Sequence, residues 1–276
     1  MGIYIQSNQK QLLGAKIAKH AIETRGGALQ AQIPVTIIEV EKQPAFQAFV
    51  GSPYRIGYAP YTFDDLQSFT LTRFMPPELM HYQGRALVID PDIFALKDIT
   101  TIFNLPMGDA AIAACSKHGA WDTSVMLLEC EKLTHWRIGS ILEDLASRRR
   151  VYEQVYELRD EQAHITELER IWNSLDAITP ETKFLHTTKR LTQPWKTGLS
   201  VDFTFNPIPK LFGIIPRFWV HHPTHYQPHP DAKIESLFFE LARDALAAGA
   251  ISTADVRAAI TARAVRADLL DKIIVP

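Results

Sequence analysis

Cysteine is scarce in this 276-residue chain: only Cys115 and Cys130 are present, too few for a disulfide framework, so a reducing compartment is the simpler setting. Charge of one sign is missing too. Its 29 basic and 31 acidic residues leave a net charge of −2, with no overall attraction to nucleic acid or to an anionic membrane. No apolar run is long enough to cross a bilayer, since Pro216 and Arg217 interrupt the hydrophobic stretch at 211–220. The opening MGIYIQSNQK lacks the cationic and then apolar pattern of a signal peptide. Gln6 stands where a myristoylation motif wants Ser or Thr. The expectation is a cytoplasmic protein with no transmembrane segment and no nucleic-acid partner. Internal repeats, low-complexity tracts and a clear linker are also absent.

What is present suits a globular α/β chain. Apolar residues make up 46% and charged residues 22%, enough to build a substantial core at this length. Residues 3–6 read as a strand, 14–24 as a helix closed by Gly26 and Gly27, and 35–40 as a second strand. Strand, helix, strand is the opening of a parallel sheet. Residues 41–63 read as a long irregular loop, and 64–75 as a helix with an acidic start. Ala86, Leu87, Val88 and Ile89 form a run expected for a buried central strand. Residues 110–114 and 124–128 are further strand candidates, 133–158 a helix, 172–176 a loop and 183–186 a short strand. Residues 191–230 read as mostly irregular. An amphipathic helix at 231–248 and a last one capped by Ser252 and Thr253, running to about 270, complete the chain.

The central strand leads straight into Asp90-Pro91-Asp92. Two carboxylates at the end of a buried strand are costly unless neutralised. Ligands of open α/β sheets gather at the carboxyl ends of strands, and a hard divalent cation would satisfy both carboxylates and then hold a diphosphate. The bland alternative is an acidic turn. His186, at the end of a short apolar strand, is either a metal ligand or a core histidine. Lys189 and Lys196 are candidates for phosphate contacts, or else solvated loop lysines. His221, His222, His225 and His229 are spaced for no helix face and read as a structural loop, and Arg148-Arg149-Arg150 as a solvated helix face.

Five segments taken in order resemble a known family: Tyr4-Ile5-Gln6-Ser7-Asn8, Leu71-Thr72-Arg73-Phe74, residues 86–92, residues 123–128 and residues 186–195. They are similar to glycosyltransferase family eight, the retaining enzymes of glycogenin and bacterial galactosyltransferase type. The closest likeness is to an uncharacterised bacterial subgroup with the segments Trp-Asn-Ser-Leu-Asp (residues 172–176) and Thr-Gln-Pro-Trp (residues 192–195). The resemblance spans about residues 2–196. It implies a Rossmann-like mixed sheet of the GT-A type, with a C-terminal helical extension. Residues 1–200 would be the nucleotide-sugar-binding catalytic domain, with 201–276, a Pro/aromatic-rich segment and C-terminal helices, packed on it. Asp90, Asp92 and His186 would hold Mn²⁺ or Mg²⁺, the imidazole favouring Mn²⁺. Ile5, Gln6, Ser7 and Asn8 would hold the nucleoside. Arg73 would meet the donor's diphosphate or sugar, with Lys189 and Lys196 beside the diphosphate and Asp122 a polar contact to the sugar. The implied donor is a nucleotide-diphosphate sugar, UDP-sugar foremost. The acceptor is an unidentified glycan, lipid or small molecule.

The sequence departs from the family pattern at four places, one being that no Asp-Gln pair of the kind that meets the acceptor lies near Trp172. Gln193 stands for a Lys, Lys189 for a Gly, and Asp122-Thr123-Ser124 for Asn-Ser-Gly. An alternative is therefore a catalytically silent protein that binds a nucleotide sugar or a partner. A nucleotidyltransferase is disfavoured because no Gly-rich phosphate loop precedes Asp90.

Overall fold

The structure, a computed structural model, describes residues 1–117, 119–187, 190–204, 210–211, 215–216 and 221–274. In chain order it runs β1 (Gly2–Ser7), α1 (Leu12–Glu23), β2 (Val35–Glu39), α2 (Pro44–Phe49), α3 (Pro76–Leu79), β3 (Arg85–Ile89) and β4 (Ile93–Ala95). There follow β5 (Ile112–Lys117), β6 (Ala120–Glu129), α4 (Ile138–Ala146), α5 (Tyr152–Tyr156), β7 (Ile165–Glu167), β8 (Ser174–Leu175) and β9 (Phe184–His186). The chain ends with β10 (Lys210–Leu211), β11 (Ile215–Pro216), α6 (Ala232–Ala247), α7 (Thr253–Thr261) and α8 (Leu269–Ile274).

Six strands form the central sheet in the order β2-β1-β3-β6-β5-β7. The β1–β2, β1–β3 and β5–β7 pairs are parallel, whereas β6 runs antiparallel to β3 and β5. This is the mixed, Rossmann-like sheet expected. The period of two in β3 divides the core. Leu87 and Ile89 join the cluster under α1 and α6, while Ala86 and Val88 face the cluster that includes Ile141 and Leu142 of α4. Buried on both faces, β3 carries no polar residue between Arg85 and Asp90.

A smaller sheet, β4-β9-β8, sits beside the carboxyl end of β3. Its register pairs Ile93 with His186. The Asp92 carbonyl accepts from both the backbone N–H and the hydroxyl of Thr187, each at 3.1 Å. Two segments nearly a hundred residues apart are thus locked together at the site. α1 supports the same place from below. A Cβ on Gly14 would lie 3.2 Å from the Pro91 carbonyl oxygen, so any larger residue would push helix and turn apart by a few tenths of an ångström.

Several expected boundaries shift. The helix expected at 133–158 is broken into α4 and α5, with Arg148 in a left-handed conformation (φ 59°) between them. Residues 64–75 form turns and a 3₁₀ turn at Thr70–Phe74 rather than a helix, because Asn8 and Asp202 bond their backbone from outside. The loop expected at 41–63 contains α2, started by Pro44 at its first position. Residues 172–176 contribute strand β8. The last helix divides into α7 and α8 around Arg263, which is also left-handed (φ 53°).

The amphipathic reading of 231–248 is observed. Asp231 caps α6 by accepting from Lys233 N at 2.8 Å, and Ile234, Phe238 and Leu241 are buried, each contributing roughly 1.5–3 kcal/mol of transfer free energy. No described helix is long and apolar enough to cross a membrane.

Candidate metal and donor site

Asp90 and Asp92 emerge where β3 ends, and Pro91 turns both side chains into one cavity of about 100 Å³. Arg73, on the 3₁₀ turn, reaches the same place. Its guanidinium is buried and grips both carboxylate oxygens of Asp90, with Nε at 2.9 Å from Oδ1 and Nη2 on Oδ2. Nη1 donates to the Thr123 hydroxyl at 2.7 Å. Three of the five N–H donors of Arg73 are spent on positioning Asp90 and β6, and the side chain also lines the cavity.

His186 arrives on β9. Its Nδ1 lies 2.8 Å from Asn173 Oδ1, so Nδ1 carries the proton and Nε2 is left as the lone-pair nitrogen. That Nε2 lies 3.7 Å from Asp92 Oδ1. Asn173 Nδ2 donates to Ser124 Oγ at 3.0 Å, and Ser124 Oγ donates to Asp122 Oδ1 at 2.5 Å. Asp122 precedes, and Thr123 and Ser124 lie within, a register shift between β5 and β6 that separates the Cys115–Asp122 pair from the Ala114–Met126 pair. Such bulges re-aim side chains, and here both Asp122 and Ser124 line the cavity.

One donor atom from each of Asp90, Asp92 and His186 lies within 4.8 Å of the others, and among the described residues this is the only such group of three. Burial, and then the charge of Asp90, push the Asp92 carboxyl up to about 7, while hydrogen bonding from Gln193 opposes the rise. Burial also raises Asp90 more than Arg73 lowers it. Two buried carboxylates that resist ionising together, with an imidazole nitrogen facing them, form a donor set that a divalent cation fits. The residues present therefore suit the metal that the motif implies.

Other expected residues lie elsewhere. Ile5, Gln6, Ser7 and Asn8 are fully buried beneath the cavity and do not line it. Gln6 Oε1 accepts from Thr72 at 2.6 Å, and Ser7 Oγ donates to the Asn8 carbonyl. The Asn8 amide donates to the carbonyls of Asp65 and Leu66 and to Ser68 Oγ. It straps residues 65–68 across the end of β1. Lys196 is wholly buried, 3.0 Å from Asp202 Oδ2 and 5.3 Å from the Tyr226 ring centre, and is not part of the cavity wall. Lys189 lies outside the described residues. His229 is buried with Nε2 3.2 Å from Asp176 Oδ1, and the histidine-rich loop adds no further metal group among the described residues.

The structure adds residues that sequence reasoning did not assign. Gln193 Nε2 donates to Asp92 Oδ2 at 2.9 Å. Arg190 is an exposed cation on the cavity wall, its Nη1 2.7 Å from Gln67 Oε1. Tyr156 and the 66–70 segment complete the wall. The only signal for Asn173 was its place in the Trp-Asn-Ser-Leu-Asp segment. Arg190 had none beyond adjacency to Lys189.

Solved structures share this architecture. The apo form of the glycosyltransferase GlyE of Streptococcus pneumoniae TIGR4 superposes with a TM-score of 0.51 at 15% identity, over 72% of this chain and 56% of that one. The fold is that of GT-A glycosyltransferases. This chain spans little more than half of GlyE's length. The galactosyltransferase LgtC, solved with donor and acceptor sugar analogs, matches 71% of this chain and 89% of its own at 12% identity and a TM-score of 0.48. No family model matches the chain, and no curated protein matches it. The likeness is therefore one of fold.

Proposed function

We propose that the protein is a metal-assisted, retaining glycosyltransferase of the family-eight type that takes its sugar from a nucleotide-diphosphate donor, UDP-sugar foremost. The observation that carries this reading is the convergence of Asp90, Asp92 and His186 at the carboxyl end of a buried strand in a GT-A fold. Asp90, Asp92 and His186 would hold Mn²⁺ or Mg²⁺, which supplies positive charge for the diphosphate as it leaves. Arg73 and Asn173 fix the ligand atoms: the first orients Asp90 by two hydrogen bonds, the second holds the His186 ring so that Nε2 faces Asp92. Arg190, at the open rim, is placed to meet a phosphate oxygen. Asp122 is held by Ser124 and faces the cavity where the donor sugar would lie.

At about 100 Å³ the cavity is smaller than the roughly 300–1,000 Å³ of typical ligand sites, so a whole nucleotide sugar would extend beyond it or widen it. A second reading, nucleotide binding without turnover, is favoured by Gln193, which already donates to the Asp92 oxygen.

Calorimetry with UDP, with and without Mn²⁺, tests the proposal on the wild type and on Asp92→Ala. Mn²⁺-dependent binding that Asp92→Ala loses is the expected result, followed by slow hydrolysis of a UDP-sugar. Metal-dependent binding without hydrolysis or transfer across a panel of donors selects the silent reading. Binding that ignores both metal and mutation refutes the metal-assisted reading and favours the silent one.

A further inference from the structure

A second cavity, of about 150 Å³, lies between residues 53–58 and the turn joining α4 to α5. Arg55, Arg148 and Arg150 all line it, with Tyr54, Tyr58 and Tyr152. No Asp or Glu is among its described lining residues. Arg55 is sandwiched between rings, 3.8 Å from the Tyr58 centre and 4.7 Å from that of Tyr152, and its Nε is buried without a hydrogen bond. Arg150 is held by Asp160 at 2.7 Å. Among the described residues no acidic group pairs with Arg148.

The arginine run is thus not one solvated face. Arg149 turns outward to Glu143 and Asp144, while its neighbours on both sides turn into the cavity. Arg148 does so from a left-handed backbone one residue past the Ser147 cap of α4, where glycine is the usual occupant. Exposed Arg148 and the buried, unbonded Nε of Arg55 face this cavity together, and with no carboxylate among its described lining residues they make it electropositive. At the rim, exposed Ile56 and Val151 add apolar surface. Arg guanidiniums beside aromatic faces suit an oxyanion carried on an apolar or aromatic body.

This cavity adjoins the metal site through α5. Tyr152 lines the one and Tyr156 the other, their rings stacked at 5.6 Å and 12°. We propose that the Arg55/Arg148/Arg150 cavity is an oxyanion-binding site that holds a phosphoryl or carboxylate group of the acceptor. The acceptor role rests on the glycosyltransferase reading of the metal site; the oxyanion site does not.

The test is calorimetry in EDTA with phenyl phosphate and with benzoate, on the wild type, Arg148→Gly, Arg55→Met and Asp92→Ala. UDP–Mn²⁺ binding is measured in parallel. Wild type and Asp92→Ala are expected to bind one probe equally, more weakly as salt is raised. Arg148→Gly should weaken that binding at least tenfold while its melting temperature is unchanged or higher, since glycine relieves the left-handed strain. Arg55→Met should weaken it as well. Tighter phenyl phosphate assigns a phosphorylated acceptor, such as a lipid phosphate, and tighter benzoate an acidic glycan. No binding of either probe by the wild type, or equal binding by wild type and Arg148→Gly, overturns the site even where UDP–Mn²⁺ binding is intact. Probe binding without any UDP–Mn²⁺ binding removes the acceptor role and the donor reading together, and leaves the oxyanion site standing.

Discussion

Replacing Arg73 by Met removes the guanidinium bonded to both oxygens of Asp90 and keeps most of the side chain's bulk. Arg73 and Asp90 are 5% and 9% exposed, so the orphaned carboxylate gains little from solvent. The Thr123 hydroxyl loses its donor at 2.7 Å as well, though it still donates to the Tyr156 carbonyl at 3.2 Å. Breaking a buried pair from one side costs about 3–5 kcal/mol, because the remaining charge is left uncompensated. At about 2–4 °C per kcal/mol for a chain approaching this size, the melting temperature should fall by roughly 10 °C.

Two further readings separate charge from shape. Asp90→Asn on top of Arg73→Met should recover part of the loss, with a coupling of about 0.5–3 kcal/mol. Saturating Mn²⁺ should protect Arg73→Met more than the wild type, since a hundredfold excess over Kd is worth about 2.7 kcal/mol and here replaces a missing cation. Thermal unfolding of the four proteins of this cycle, with and without Mn²⁺, reads all three quantities. A loss under about 1 kcal/mol, or strict additivity, refutes the view that Arg73 neutralises and positions Asp90.

Asn173→Ala frees the His186 ring and should weaken Mn²⁺ binding about 10–100-fold by calorimetry, with metal-free stability changing far less. Lys196→Met removes the buried ammonium 3.0 Å from Asp202, which keeps Lys10 at 3.6 Å and the Tyr226 hydroxyl as donors, and should cost about 1.5–3 kcal/mol, while UDP affinity at fixed Mn²⁺ stays within twofold, because Lys196 supports the fold outside the cavity. Hydrogen bonds from Lys16 and Ser252 hold the Asp255 carboxyl down at about 2, below its ordinary 3.8. A depressed folded-state pKa stabilises above the unfolded value and ceases to as pH falls through the folded one. Asp255→Ala should therefore cost about 1 kcal/mol of helix capping at pH 7, and markedly less by pH 2, in paired thermal melts.

Legibility in the sequence followed the range of the interactions. β1, α1, β2 and β3 are local patterns, and Asp90-Pro91-Asp92 was readable because two acids directly after a purely apolar strand need an explanation. His186 as their partner depends on the β4–β9 register, which no local pattern carries; the ordered motifs supplied it. Asn8 sat in the right segment for a ligand contact, yet its amide is consumed by the 65–68 backbone, a partner nearly sixty residues away. Lys196 looked like a loop lysine because Asp202 and Tyr226, which bury it, lie in a Pro/aromatic stretch without periodicity. The break at Ser147–Val151 was hidden because arginine carries no signal for a left-handed backbone. Charge pattern alone therefore read the arginine run as a helix face, whereas Arg148 and Arg149 are exposed on a turn and Arg150 is half-buried.

The central claim is that Asp90, Asp92 and His186 bind one divalent cation. Anomalous diffraction at the manganese edge, from crystals grown with Mn²⁺ and UDP, tests it directly. A single anomalous peak within ligand distance of all three side chains, in contact with the diphosphate, is the predicted result. No peak in that cavity, or one at the His221–His229 loop instead, contradicts the account.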